Sequence, residues 1–193
     1  MYYAVKVSDT LRVPPDRFDD DLSQVLAEIA RISFEGKIDP ELGFIVAVTE
    51  IKNIYQGKLI SGDGGAYYET DFGLLCYLPE IGEVVTGEVV ECVDFGAFIR
   101  IGTIDALCHV SQIADDYFRY IPKNGVLRGD KSKRDLLVNT RIRARVIAVS
   151  IGKSAIRVGL TMRQNSLGAI EWIEEWKKSL KETKETKQTK KEV

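Results

Sequence analysis

The first 80 residues combine two hydrophobic periods. Apolar side chains alternate with polar ones from Tyr3 to Val7, which is typical of a half-buried strand. From Leu22 to Ile29 the apolar residues are spaced by three and four, which predicts an amphipathic helix. Acidic residues 16–21 mark its start, and Gly36 its end.

A strand-rich stretch follows this helix. Residues 44–48, 51–60 and 67–78 have the composition of strands, and residues 61–65, Ser-Gly-Asp-Gly-Gly, form a turn between the last two. The order strand, helix and three strands predicts a small α+β domain over residues 1–80, with one helix packed on an antiparallel sheet.

Beyond residue 81 the pattern changes to five short strands separated by turn residues. We expect strands at Val84–Val93, Ala97–Ile101, Ala106–His109, Ile142–Val149 and Ala155–Leu160. A polar insertion, residues 114–140, precedes the fourth strand, and its proline and glycines indicate a loop with at most one helical turn near residues 115–120. This layout predicts a five-stranded OB-fold barrel over residues 81–166.

The chain is expected to finish in a helix and a tail, which together make up residues 167–193. Ile170, Ile173 and Trp176 share one side of a predicted helix over residues 167–180, with Trp172 beside them. Residues 181–193 repeat Lys, Glu and Thr without an apolar stripe, so we expect them to be disordered.

Charge divides the chain in the same way. Residues 1–80 contain 7 Lys or Arg against 14 Asp or Glu, residues 81–176 contain 13 against 12, and residues 177–193 contain 7 against 3. The acidic first part is poorly suited to nucleic acid, whereas the second can bind it where its cations share a face.

Several functional classes have little support. The N-terminal residues lack a basic segment followed by an apolar one, and no apolar run approaches a membrane span, so we expect a cytoplasmic protein without membrane contact. Cys76, Cys92 and Cys108 form no metal-binding pair and are expected in the core. We expect no catalytic residue, metal or cofactor, although adjacent Asp115 and Asp116 leave open a metal-dependent nuclease.

One strand combines aromatic and basic side chains on its outer face. Period two along residues 97–101 directs Ala97, Ile99 and Ile101 inward, and Phe98 and Arg100 outward. Such a pair can stack a base and neutralise its phosphate. Further candidates are Phe95, just before this strand, and the alternating arginines of the later strands: Arg141, Arg143, Arg145 and Arg157. Charged residues on the wet face of any barrel would explain the arginines equally well.

These residues belong to a string that resembles a known RNA-binding domain. Residues 95–98, Phe-Gly-Ala-Phe, followed by residues 107–111, Leu-Cys-His-Val-Ser, are similar to the OB-fold barrel of the ribosomal S-one type. The resemblance implies RNA contacts for Phe95, Phe98 and His109. The chain departs from that pattern at residues 139–140, where Asn-Thr replaces the usual Gly-Asp.

The order of motifs over residues 1–176 extends the likeness. Taken together, five motifs resemble the E-prime family of archaeal RNA polymerase stalk proteins, which are counterparts of the seventh subunit of eukaryotic polymerase II. The motifs are Val13-Pro14-Pro15, the Gly62-Asp63-Gly64 turn with Tyr67, residues 109–113, residues 160–164 and residues 171–175.

This second resemblance implies a non-catalytic stalk subunit that supports initiation, processivity and termination. Residues 1–80 would be a tip domain docked on the polymerase core through Gly62, Asp63, Gly64 and Tyr67. The implied partners are the small stalk subunit, known as F, in a heterodimer, the polymerase core subunits and nascent single-stranded RNA. The alternative is a free-standing RNA-binding protein in translation or RNA decay, for which the barrel alone would suffice.

Overall fold

A computed structural model describes residues 1–178 of the 193-residue chain. It divides into two compact units, one formed by Met1–Pro79 with Ile151–Ile156, and the other by Glu80–Ser150 with residues 157–178. The predicted disordered tail, residues 181–193, lies outside the described residues.

The first unit packs one helix on an antiparallel sheet, which confirms the predicted architecture. Its strands run in the order β1-β5-β3-β2, and β4 pairs with β5. The elements are β1 (Tyr2–Val13), a 3-10 helix (Pro15–Arg17), α1 (Leu22–Phe34), β2 (Ile38–Asp39), β3 (Gly43–Ile54), β4 (Lys58–Leu59) and β5 (Ala66–Tyr77). The two-residue strand β2 was not predicted, because two residues carry no period.

Helix α1 begins and ends where the sequence indicated. The Asp21 carboxylate accepts a hydrogen bond from the Gln24 backbone N–H at 3.0 Å, which caps the first turn. Gly36 follows the last turn with φ +75°, a conformation that glycine adopts at little cost. The buried residues of the helix, Val25, Leu26 and Ala30, join the core formed with the sheet.

The second unit contains the predicted five-stranded barrel. Its strands follow the order β13-β8-β7-β6-β12, and β12 pairs with β13 to close it. The barrel elements are β6 (Val84–Val93), β7 (Gly96–Ile101), β8 (Ile104–His109), a 3-10 helix (Val110–Gln112), β12 (Arg141–Ile151) and β13 (Ile156–Thr161).

The prediction of a loop for residues 114–140 is wrong. This insertion forms a three-stranded antiparallel sheet of β9 (Phe118–Ile121), β10 (Val126–Gly129) and β11 (Asp135–Leu136). The proline and glycine of residues 122–125 make the turn between β9 and β10. Leu127 and Leu136 pair across the sheet and are fully buried, so the insertion contributes apolar side chains to the interior.

Asp116 closes the base of this insertion. Its carboxylate accepts hydrogen bonds from the Lys131 and Ser132 backbone N–H groups, and from the Ser132 hydroxyl at 2.7 Å. These hydrogen bonds hold the pKa of Asp116 well below its ordinary value. Gly129 leaves room for these contacts, because a Cβ there would lie 2.6 Å from Asp116 Oδ2 and would displace that side chain.

The C-terminal helix begins later than predicted. Gly168 and Ala169 form β14, which pairs with Ile142 and Arg143 of β12, and residues 170–178 are helical to the end of the described chain. The sequence did not show this strand because its backbone pairing leaves no apolar period in so short a segment. Trp172 and Ile173 are buried, whereas Trp176 is 38% exposed.

The remaining expectations concern cysteines and membranes. All three cysteines are buried as predicted, and burial raises the pKa of the Cys108 thiol to about 12. Among residues 1–178, no helix is long and apolar enough to cross a membrane. Within the same residues, no group of three His, Cys, Asp or Glu side chains is arranged to hold a metal ion.

Replacing the cap of α1 should destabilise the first unit. Asp21→Ala removes the acceptor for the Gln24 N–H and should lower the free energy of unfolding by about 1 kcal/mol. Denaturant titration followed by circular dichroism measures this change. Asp19→Ala, two residues earlier, removes the same charge and leaves the cap intact, so an equal loss in both variants would contradict the capping role.

Acid should loosen the base of the insertion. Because the folded pKa of Asp116 is lowered, its stabilising contribution is complete above its unfolded pKa near 4 and is lost as the pH falls through the folded value. Amide exchange at Ser132, corrected for intrinsic rates, should accelerate between about pH 4 and about pH 2.

Matched variants identify the responsible group. Asp116→Asn should abolish this pH dependence, whereas Asp115→Asn should retain it. Unchanged Ser132 protection in acid would refute the assignment.

Candidate nucleic-acid interface

The alternation along β7 matches the prediction. Ala97, Ile99 and Ile101 are buried in the barrel, while Phe98 is half-buried and Arg100 is exposed on the outer face. The two outward side chains are two residues apart on one strand, or about 7 Å. One strand therefore presents an aromatic ring and a guanidinium side by side.

Phe95 extends the aromatic surface. Its ring meets that of Phe98 edge to face, with 6.1 Å between the centroids and an interplanar angle of 88°. The Phe95 carbonyl accepts a hydrogen bond from the Val110 N–H at 2.9 Å, which fixes the turn before β7. Phe95 remains 46% exposed, so this pair, the aromatic platform, offers ring surface to solvent.

His109 is brought to the platform by a close approach of two strands. It pairs with Gly96, where a Cβ would lie 2.2 Å from the Cys108 carbonyl oxygen, so only glycine permits this spacing. His109 Nδ1 accepts the Ser111 N–H at 3.2 Å and caps the following 3-10 helix. The neutral ring therefore carries its proton on Nε2, where it can donate to an external acceptor.

A β-bulge in β6 lies opposite Phe98. The register with β7 shifts between Val89 and Glu91, and Glu91 becomes the partner of Phe98. A bulge bends its strand and redirects neighbouring side chains. The sequence did not predict this bulge, because one additional residue in the alternation along β6 is too small a change to distinguish from an ordinary strand.

Arg100 is held by an ion pair. Its guanidinium donates to both oxygens of Asp105 at 2.9 and 3.2 Å, and this interaction raises the pKa of Arg100. Arg100 also faces Glu88, which faces Arg141. Arg157 points outward near the level of Asp105, as the parallel pairing of Gly159 with Leu107 requires. The outer faces of five strands thus carry a charged belt of alternating sign: Arg157, Asp105, Arg100, Glu88 and Arg141.

Arg143 and Arg145 lie away from the aromatic platform. They pair with Thr86 and Val84 at the start of β6, whereas Phe98 pairs with Glu91, five residues beyond Thr86 and seven beyond Val84. These intervals correspond to roughly 15–20 Å along the strand. The Arg145 guanidinium donates to Gln164 Oε1 at 2.7 Å and to the Gly82 carbonyl at 2.8 Å. Of the predicted RNA-binding arginines, Arg100 is the one on the same strand as Phe98.

Three of the four residues assigned to core docking belong to one turn. Gly62, with φ +90°, Asp63 and Gly64 connect β4 to β5. Asp63 accepts hydrogen bonds from Arg12 at 2.5 and 2.8 Å, from the Gly65 N–H and from the Tyr67 hydroxyl. These contacts lower the pKa of Asp63, chiefly through Arg12. The turn is thus fixed by one carboxylate.

The insertion carries an aromatic group that the sequence analysis missed. Tyr117 is 66% exposed, and the Arg119 guanidinium carbon lies 5.8 Å from its ring centroid. Alternation of buried Phe118 with exposed Arg119 was the available signal, but four residues of strand β9 before a proline resemble a loop. The candidate nuclease pair has separate partners, since Asp115 pairs with Arg163 while Asp116 holds the insertion.

Two family models match the chain in the positions of its two units. Residues 8–64 match the SHS2 domain found in the N terminus of Rpb7p/Rpc25p/MJ0397, and residues 78–160 match the S1 RNA binding domain. The second match includes the aromatic platform and His109. The small N-terminal α+β domain and the S-one type barrel expected from the sequence are thus both confirmed.

Whole-chain relatives agree with this assignment. The chain is 37% identical over 180 residues to DNA-directed RNA polymerase subunit Rpo7 of Saccharolobus shibatae, covering 92% of this chain and 100% of that protein. It is 34% identical to Rpo7 of Sulfolobus acidocaldarius, with coverage of 91% and 96%. Subunit RPC8 of RNA polymerase III from Saccharomyces cerevisiae is 30% identical over 129 residues, with coverage of 67% and 56%. The chain belongs to the Rpo7 family of DNA-directed RNA polymerase subunits.

Proposed function

We propose that this chain is a non-catalytic subunit of a cytoplasmic DNA-directed RNA polymerase, and that it binds nascent single-stranded RNA through its barrel. The observation that carries the proposal is the aromatic platform, exposed on an S1 RNA binding domain within a chain of the Rpo7 family. In this role the protein supports initiation, processivity and termination.

RNA is bound mainly by stacking in this proposal. Phe95 and Phe98 receive bases, His109 donates from Nε2 to a phosphate or base oxygen, and Arg100 lies next along the strand. Arg141 and Arg157 contribute at the charged belt, where Glu88 and Asp105 balance their charge. Arg143 and Arg145 contact RNA only where the strand of RNA extends to the other end of β6.

Assembly is the task of the first unit. Residues 1–80 contain 14 acidic residues against 7 basic ones, a balance that disfavours RNA phosphates and suits protein contact. We assign docking on the polymerase core to Gly62, Asp63, Gly64 and Tyr67, as the resemblance to the stalk proteins implies. Asp63 holds this turn in place through the Gly65 N–H and the Tyr67 hydroxyl. A heterodimer with the small stalk subunit completes the proposed assembly.

The alternative of a free-standing RNA-binding protein has weaker support, since the likeness to Rpo7 extends over both units rather than over the barrel alone. Affinity purification of the chain from native extract tests the choice. Recovery of the large polymerase subunits at stoichiometric level supports the proposal, and their absence favours the alternative.

Phe98→Ala should weaken RNA binding by about 1–3 kcal/mol, because it removes one stacking surface. Fluorescence anisotropy with a labelled single-stranded RNA measures the affinity. Phe18→Ala is the control for loss of a phenylalanine ring, since Phe18 is an exposed phenylalanine of the first unit. Equal affinity of the Phe98 variant and the unaltered chain, with both folded, would argue against the platform.

Asp63→Ala should separate assembly from RNA binding. The change removes the acceptor shared by Arg12, Gly65 and Tyr67, so recovery of the polymerase core should fall while RNA affinity stays constant. Phe98→Ala should give the opposite result in both measurements. Asp9→Ala removes an exposed carboxylate from the same unit as a control. Full core recovery with Asp63→Ala would show that docking does not depend on this turn.

A further inference from the structure

Tyr117 is an exposed aromatic ring on an immobilised backbone. Its N–H donates to Asp116 Oδ1 at 2.7 Å, and its carbonyl accepts the Asp130 N–H at 2.9 Å. The side chain is nevertheless 66% exposed, and Arg119 covers part of one face. Because the backbone is fixed and a tyrosine side chain has two rotatable bonds, the ring loses little conformational freedom on binding, so it is suited to stack against a planar ligand group.

The cations beside Tyr117 form a surface that favours an anion. Arg119 and Arg128 are direct cross-strand partners on the exposed face of the insertion sheet, and like charges so placed repel each other. Each is held by an outlying carboxylate, Arg119 by Asp130 at 3.0 Å and Arg128 by Asp135 at 2.5 Å. Residues 117–135 nevertheless contain six Lys or Arg against two Asp.

This surface is anchored at the aromatic end of the barrel. The Cys92 thiol donates to the Leu136 carbonyl at 3.6 Å, and the Asn139 N–H donates to the Val89 carbonyl at 2.7 Å. Val89 and Cys92 flank the β6 bulge that faces Phe98. The insertion sheet and the aromatic platform therefore attach to the same stretch of β6.

We propose that the insertion is a second single-stranded RNA site, which receives RNA that leaves the aromatic platform. Tyr117 stacks one base, while Arg119 and Arg128 contact the adjoining phosphates. The inference rests on the proposed function, because the platform supplies the RNA. An acidic protein segment would use the cations but gives the exposed ring no stacking partner, so RNA is the occupant that matches both features.

The test compares two lengths of single-stranded RNA on the full chain. An RNA of about 5 nucleotides occupies the platform alone, and one of about 15 reaches the insertion. Tyr117→Ala should lower the affinity for the longer RNA by about fivefold or more and leave the affinity for the shorter one unchanged. Tyr117→Phe keeps the ring and should retain the affinity. Arg119→Gln should reduce the salt dependence for the longer RNA by about 0.7 in logarithmic slope.

Tyr55→Ala is the matched control, because Tyr55 is an exposed tyrosine of the first unit. Phe98→Ala should weaken both lengths, which separates the two proposals. If Phe98→Ala lowers the affinity for both RNA lengths and Tyr117→Ala lowers neither affinity, the insertion site is refuted and the proposed function stands. If Phe98→Ala has no effect on either length, the platform fails, and the continuous path fails with it.

Binding of polyglutamate tests the other possible occupant of this surface, an acidic protein segment. If Tyr117→Ala weakens polyglutamate as much as the longer RNA, the surface is a docking site for acidic protein, and the RNA inference is overturned.

Discussion

Strand β6 pairs with β7 on one edge and with β12 on the other, and the registers of these two pairings determine which outward side chains can act together. Glu88 is the shared position, since it faces Arg100 on one side and Arg141 on the other. Beyond it, one direction leads to the bulge and Phe98, and the other to Arg143 and Arg145. The barrel therefore separates an aromatic end from an arginine end.

Neutralisation of charge is the second consequence of this register. Asp105 and Glu88 alternate with the arginines of the belt, so the surface beside Phe98 is less positive than the arginine count of the sequence implies. Exposed ion pairs contribute little to stability. Their effect here is on binding, because an arginine already engaged with a carboxylate must exchange that partner to contact a phosphate.

The sequence predicted those features that depend on local period or on a single conformational requirement. The alternation of residues 97–101, the start of α1 after a segment rich in aspartate and the buried cysteines all follow from side-chain preferences along one element. The order of the sequence motifs along the chain was enough to suggest the protein family. The two domains were recognisable because the hydrophobic pattern and the charge both change near residue 80.

Features that depend on pairing between distant segments could not be predicted. The distance between Arg145 and Phe98 follows from the β6 registers, and the partner of Arg100 follows from the pairing of β7 with β8. The insertion sheet was mistaken for a loop because its strands contain two to four residues. Its closure depends on Asp116 reaching Ser132, sixteen positions away, which no local pattern encodes.

The contact between Asp116 and Ser132 also affects which positions of the insertion can be substituted. Asp116 joins the start of the β9–β10 hairpin to its end through main-chain N–H groups, which any residue except proline supplies at positions 131 and 132. Exposed positions of the hairpin, such as Lys123 and Asn124 in its turn, can accept substitutions without disturbing this closure, whereas the buried Leu127 must stay apolar. The hairpin can thereby vary its exposed side chains while the contact at Asp116 and the buried face of the sheet stay unchanged.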